Sequence, residues 1–229
     1  MGADSDHLHT TAIVPVKGLS VANGRLAGTR SAEDRTRLAE ALFLDLIVKL
    51  PRCRYIDDVL VVTADPSVAR QARWLGNKVL VQESDEGHSE AATAGARAAM
   101  TDGAGRVAML PIDCPMLDPE ELDAHIGRSP RTVLIVPDRH GTGTNALVLA
   151  PPDIFTPIFG PESCSRHVIR ARAAGISFAL ERVESMAIDL DTPEDMSLLR
   201  DRLLLDPQPA PKTAEVLWEL GDRTQPAAA

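Results

Sequence analysis

The stretch Pro111-Ile112-Asp113-Cys114-Pro115 runs an apolar segment into a carboxylate and then turns the chain with a proline. That order puts Asp113 at the C-terminal end of a strand, where open α/β sheets place their ligands. Magnesium takes hard oxygen donors, commonly one or two carboxylates with substrate phosphates completing the shell, so Asp113 reads as a metal ligand. The competing reading is an Asp that caps the turn before the next helix, but Asp118 already stands in the cap position before Pro119. A second pair, Asp189 and Asp191, lies at i and i+2 on an extended segment, so both carboxylates point to one side. Asp189 has no capping role to explain it and reads as a ligand. Asp191 stays open between metal and cap, because Asp191-Thr192-Pro193-Glu194 is itself a good helix start.

Three further stretches suit anions. Val14-Pro15-Val16-Lys17-Gly18 opens a first strand into a loop that also carries Asn23-Gly24-Arg25-Leu26. Lys17 and Arg25 there could neutralise a triphosphate, or form a solvated basic loop. Gly141-Thr142-Gly143-Thr144-Asn145 is a small-residue turn whose backbone N–H groups could hold a phosphate or carboxylate, or simply close a hairpin. Phe159-Gly160-Pro161-Glu162-Ser163 leads into Arg166 and His167, setting a Ser at a helix N-terminus, either an anion site or an ordinary capped surface helix. His88, after Glu86-Gly87, is a candidate to line the site. His7 and His9 fall in a polar N-terminal arm and His125 on a helix surface. Neither a P-loop nor a G-x-G-x-x-G fingerprint follows the first strand.

The elements that must position these residues alternate. Strand patterns at 12–16, 58–63, 78–82 and 107–111 are separated by helical patterns at 32–50, 66–75 and 89–100. A helix at 119–126 follows. The second half reads as strands at 132–136 and 145–150, a helix at 163–174, strands at 176–180 and 186–188, and a helix at 192–204. Such alternation predicts an α/β fold with a mostly parallel sheet covered on both faces, and some antiparallel pairing among the later strands. The expected organisation is a flexible arm over 1–10, one domain over 11–205, and a flexible Pro-, Ala- and Gln-rich tail over 206–229 with a short helix around 216–220.

A net charge of −9 argues against nucleic-acid binding by bulk electrostatics, and 3% aromatic residues leave few platforms for stacked bases. Cys53, Cys114 and Cys164 are too widely spaced for a CxxC metal site and odd in number. No stretch approaches the ~20 apolar residues of a membrane span, and the polar start is unlike a signal peptide. A cytoplasmic setting is expected.

The five segments, in this order, resemble the CofC/FbiD family of guanylyltransferases of coenzyme F(420) biosynthesis. The resemblance covers roughly residues 11–204. Gly143-Thr144-Asn145-Ala146-Leu147, the Phe159–Ser163 stretch with Ser165-Arg166-His167, and Ile188-Asp189-Leu190-Asp191-Thr192-Pro193 are its most specific parts. It implies a Rossmann-like, three-layer α/β/α nucleotidyltransferase fold. It implies GMP transfer from GTP to a small phospho-acid (phosphoenolpyruvate, 2-phospho-L-lactate or 3-phospho-D-glycerate) with release of pyrophosphate. Thr144, Gly160 and Ser163 would then hold the acceptor, and Asp113 and Asp189 would hold metal, two magnesium ions in all. A homodimer and a downstream transferase receiving the product are further expected partners. Asn23 and Thr93 depart from the family, which carries Lys and Asn there. A nucleotidyltransferase with another base or acceptor, and a catalytically weak binding or sensor protein, are the competing functions.

Overall fold

Ala12, Ile13 and Val14 are successive residues with no exposed surface, yet they enter two different cores. Strand β1 (Thr10–Pro15) can be apolar throughout because helices cover both faces of the sheet it belongs to. The computed structural model describes residues 8–19, 26, 28, 30–128 and 133–222. In it β1 joins β2 (Asp58–Thr63), β3 (Lys78–Val81), β4 (Arg106–Met109), β5 (Val133–Pro137), β6 (Thr144–Leu149) and β7 (Phe178–Leu180) in one seven-stranded sheet of order β3-β2-β1-β4-β6-β5-β7. Strands β3, β2, β1 and β4 are parallel. β6 runs antiparallel to both β4 and β5, and β7 is parallel to β5.

One face of the sheet is covered by α1 (Ala32–Ile47), α2 (Pro66–Trp74) and α4 (Pro119–Gly127), through Phe43, Leu46, Val68 and Leu122 among others. The other face carries α3 (His88–Thr101) and α5 (Ser163–Ala173). The expected three-layer α/β/α arrangement with a mostly parallel mixed sheet is therefore present. Helix α3 comes close enough to the sheet to need a glycine. A Cβ on Gly95 would lie 2.6 Å from Ile13 Cγ2 and 2.9 Å from Val62 Cγ2.

Four expectations give way. The tail from 206 is not flexible through its described part. Helix α7 (Pro211–Asp222) packs on α1 and on α6 (Pro193–Leu205), burying Ala210, Ala214, Leu217 and Leu220. Asp45 of α1 anchors its first turn, accepting from Lys212 N at 3.2 Å and Thr213 N at 2.7 Å. The arm over 1–10 is ordered at its end, since Thr10 opens β1 and His9 Nε2 lies 2.8 Å from Asp58 Oδ2. Residues 186–188 are not a strand. The chain makes a 3-10 turn at Glu184–Met186, whose N–H groups at Glu184 and Ser185 are taken by the Glu121 carboxylate, while Asn145 Nδ2 takes the Met186 carbonyl. Side chains there do what a ladder would have done. His125 is not a surface residue either, being half-buried 2.7 Å from Glu181.

Candidate active site

Beyond β4, Leu110 N still bonds Ile13 O at 2.9 Å, so the chain leaves the sheet only at the Asp113 turn. Asp113 is therefore delivered just past the C-terminal ends of β1 and β4. Asp189 and Asp191 arrive on a loop rather than at a neighbouring strand end, the place expected for Asp189. What holds them beside Asp113 is a backbone bond, Leu190 N to Asp113 O at 2.9 Å. Leu190, between the two carboxylates, is itself buried in the core that α1, α6 and α7 share. The structure bears on the capping half of the choice left open at Asp191. Thr192 is the N-cap of α6, in a reciprocal capping box with Asp195, so Asp191 is not spent on capping by its side chain. Asp195 Oδ2 accepts from Thr192 N at 2.7 Å, and its Oδ1 meets Arg139 Nη2 at 2.6 Å.

Burial, then the charges of Asp191 and Asp189, push Asp113 up to about 7. Burial raises Asp189 as well, with Asp191, Asp138 and Asp195 adding to it. Asp113 is partly exposed and lines the cleft, so its desolvation comes from the packed walls around it. Carboxylates that disfavour one another's ionisation in this way form a site that a cation would relieve. Among the described residues no three His, Cys, Asp or Glu side chains form a ready-made metal cage. Asp113, Asp189 and Asp191 are hard oxygen donors of the kind magnesium takes, and an ion held by them would need further oxygens to complete its shell.

A cleft of about 230 Å³ is lined by these carboxylates together with Thr144, Gly160, Ser163 and His88. Of the two readings open for the Gly141–Asn145 turn, the geometry favours hairpin closure over anion binding by its N–H groups. Asp138 uses them, with Oδ1 accepting from Thr142 N at 2.9 Å and Oδ2 from Gly143 N at 2.8 Å. Burial pushes Asp138 up, but these bonds outweigh it and hold its carboxyl below the ordinary value. A Cβ at Gly143 would sit 2.7 Å from Asp138 Oδ2, which is why glycine stands there. The N-terminus of α5 is likewise partly spent, with Ser163 N on Gly160 O and Cys164 N on Thr142 O. Two hydroxyl residues, Thr144 and Ser163, are among those lining the cleft. Ser163 Oγ lies 3.0 Å from Thr144 Oγ1, and Thr144 Oγ1 lies 3.1 Å from His167 Nδ1. Gly160, at φ +99°, turns the loop into this wall, and Arg166 braces it by donating to the Pro161 carbonyl.

The family model described as "Guanylyl transferase CofC like" matches residues 10–203. The chain belongs to that family. A phosphoenolpyruvate guanylyltransferase of Conexibacter woesei is 45% identical over 198 residues, covering 85% of this chain and 88% of that one. A 3-phospho-D-glycerate guanylyltransferase of Phenylobacterium zucineum is 35% identical over 218 residues, 93% and 97% of the two chains. Among solved structures, a nucleotidyl transferase from Methanothermobacter superposes with a TM-score of 0.64 at 15% identity, covering 86% of this chain and 98% of that one, a likeness of fold.

In this CofC-like chain the candidates from the loop after β1 are placed less completely. Lys17 is exposed just after β1, and with Gln82, Gly87 and His88 it walls a small recess that adjoins the main cleft through His88. Burial, with Lys17 adding to it, pushes His88 down to about 4, so its imidazole is neutral near pH 7. Arg25 lies outside the described residues, as do Asn23 and Gly24. Thr93 is occupied with its own helix, donating to Ser89 O at 2.8 Å. A larger cavity of about 610 Å³ between α1 and α2, walled by Trp74, Arg70 and Glu40, holds none of the residues singled out for chemistry. Sequence reasoning missed Asp138, Arg139, Asp195 and the buried Lys49, which donates to the Pro115 carbonyl behind Asp113. Only the Thr192–Asp195 spacing signalled any of these, as a capping box.

Proposed function

We propose that the chain transfers GMP from GTP to a small phospho-acid, with release of pyrophosphate, in coenzyme F(420) biosynthesis. The observation that carries this reading is the cleft itself, lined by mutually repelling carboxylates and a hydroxyl pair. At about 230 Å³ it falls below the roughly 300–1,000 Å³ of pockets that enclose larger ligands. It suits one small acid, with the nucleotide extending along the β1 side past His88 and Lys17. The named relatives support the same assignment, since they act on phosphoenolpyruvate and 3-phospho-D-glycerate.

Asp113, Asp189 and Asp191 would hold magnesium, two ions in this reading. Bound there, the metal would neutralise the phosphate oxygens of both substrates and hold them in line. Thr144, Gly160 and Ser163 hold the acceptor. Lys17 and Arg25 would supply positive charge to the triphosphate. An acceptor phosphate oxygen attacks the α-phosphorus of GTP, the bond from that phosphorus to the β-phosphate's bridging oxygen breaks, and pyrophosphate leaves. A phosphate monoester is largely dianionic at pH 7, so the protein needs no general base. Its task is to bring two anions together. Cytoplasmic location, a homodimer and a downstream transferase that takes the product belong to the same reading.

Pyrophosphate release, measured with each nucleoside triphosphate crossed against the three phospho-acids with and without magnesium, tests it. Turnover with GTP and one acceptor, dependent on magnesium, is expected. Acceptor binding with neither nucleotide binding nor turnover would replace the enzyme with a binding protein.

A further inference from the structure

His167 has no exposed surface, and both ring nitrogens are engaged. Ile158 N donates to Nε2 at 3.0 Å, and Thr144 Oγ1 lies 3.1 Å from Nδ1. A main-chain N–H can only donate, so Nε2 must accept, and in a neutral imidazole the one proton then sits on Nδ1. Thr144 Oγ1 therefore receives that proton's hydrogen bond. Thr144 also shares a bond with Ser163 Oγ at 3.0 Å. The two hydroxyls own two protons. One is spent between them, whichever way that bond points, and His167 can accept neither. One proton is left, and both residues line the cleft.

We propose that His167 is a positioning residue for acceptor recognition, locked as its Nδ1–H tautomer so that the Thr144–Ser163 pair turns one hydroxyl proton toward the cleft to meet an anionic oxygen. The ligand class follows. The pair is set to give a hydrogen bond to a phosphate or carboxylate oxygen, which can only accept. The ring is also kept from turning. Phe159 meets it edge-on at 5.4 Å between centroids, and Phe155 stacks at 6.0 Å. Burial, with Arg166 and Arg170 adding to it, holds the imidazole neutral by pushing it down to about 4. Phe159 is in turn pinned by its N–H on Ser89 Oγ at 2.9 Å, so the acceptor wall is keyed to helix α3.

This inference rests on the reading that the cleft takes the acceptor, but its first test does not need turnover. Long-range proton–nitrogen NMR on the 15N-labelled chain resolves histidine tautomers, and loss of one ring signal set in His167→Gln assigns His167 among six histidines. A pyrrole-type Nδ1 with a pyridine-type Nε2 is expected at pH 7. The reverse pattern, or a rapidly averaging ring, overturns the proposal whatever the enzyme does. The second test separates the two ring nitrogens. His167→Asn can keep a donor toward Thr144, whereas His167→Gln can keep the partner of Ile158 N. The acceptor KM should stand about three- to tenfold higher in His167→Gln than in His167→Asn, the range expected for one hydrogen bond. The KM for GTP should not separate the two variants. Equal acceptor KM values in two folded variants would reduce His167 to a packing residue. Absence of turnover in the parent chain would instead count against the guanylyltransferase reading, and acceptor binding by calorimetry would then supply the same comparison.

Discussion

Asp113 is costly to ionise where it stands. Its folded pKa of about 7 lies above the ordinary carboxylate value of 3.8, so the unfolded chain loses this proton first as pH rises. Between about pH 4 and 7 the folded state binds the extra proton, and stability falls with rising pH. Above that window the penalty is complete; below it the penalty is absent. Asp113→Asn should therefore be the more stable protein at pH 8 without magnesium, with the gap closing toward pH 4. Thermal denaturation across pH measures this, and a gap that does not vary with pH would mean the carboxyl is not desolvated as described. Saturating magnesium should raise the wild type and narrow the gap, because a ligand that binds only the folded state stabilises it. The same variant should lack magnesium-dependent pyrophosphate release. Asp113 and Asp189 were legible in the sequence because a carboxylate after an apolar run has few structural excuses. Asp138 was not, since its partners are backbone N–H groups of a turn that reads equally well as anion-binding.

Helix α6 shows how one element fixes the geometry of another's carboxylates. Its capping Asp195 is buried, accepts from Thr192 N, and pairs with Arg139 from the β5 side. The loop bearing Asp189 and Asp191 is thus clamped at its far end. Asp195→Ala should raise the magnesium concentration for half-maximal activity by about 10- to 100-fold, the usual cost of losing a group that orients metal ligands. The acceptor KM should change far less. A magnesium titration of pyrophosphate release at saturating substrates reads this, and an unchanged requirement would detach Asp195 from the metal loop. The element pattern of the first half was readable because parallel strands and their helices alternate with clear periods. Residues 186–188 were not, because three apolar residues look alike in a buried strand and a buried turn. The difference lay in Asn145 and Glu121, more than 40 positions away by two of the bonds involved.

At the scale of the molecule, α7 belongs to the site's foundations. Ala214 and Leu217 share a core with Leu26, which follows the loop after β1, and with Leu190, which separates two of the carboxylates. A helix that looked like tail from its proline and alanine content shares the core that holds Leu190, between Asp189 and Asp191. Its spacing, Ala210, Ala214 and Leu217, was the overlooked signal. Its anchor, Asp45, could not be inferred from local pattern because it lies 168 residues from Thr213. Asp45→Ala removes the carboxylate that caps the first turn and should cost about 1–2 kcal/mol. Urea denaturation measures this, and an unchanged midpoint would show that α7 docks by its apolar face alone.

One strand divides the labour of the sheet. Because β6 runs against β4 and β5, it brings its first residues, Thr144 and Asn145, to the end of the sheet where its neighbours bring their last. In the proposed reading, the acceptor residues then come from the beginning of a strand and the nucleotide residues from the ends of others. A hairpin from β5 to β6 can lengthen, shorten or change its turn without disturbing the register of β1, β2 and β3. The molecule is modular along its width: the recognition of one substrate can drift while that of the other is conserved in place. A family whose named members share a nucleotide and differ in the phospho-acid is what such a partition would produce.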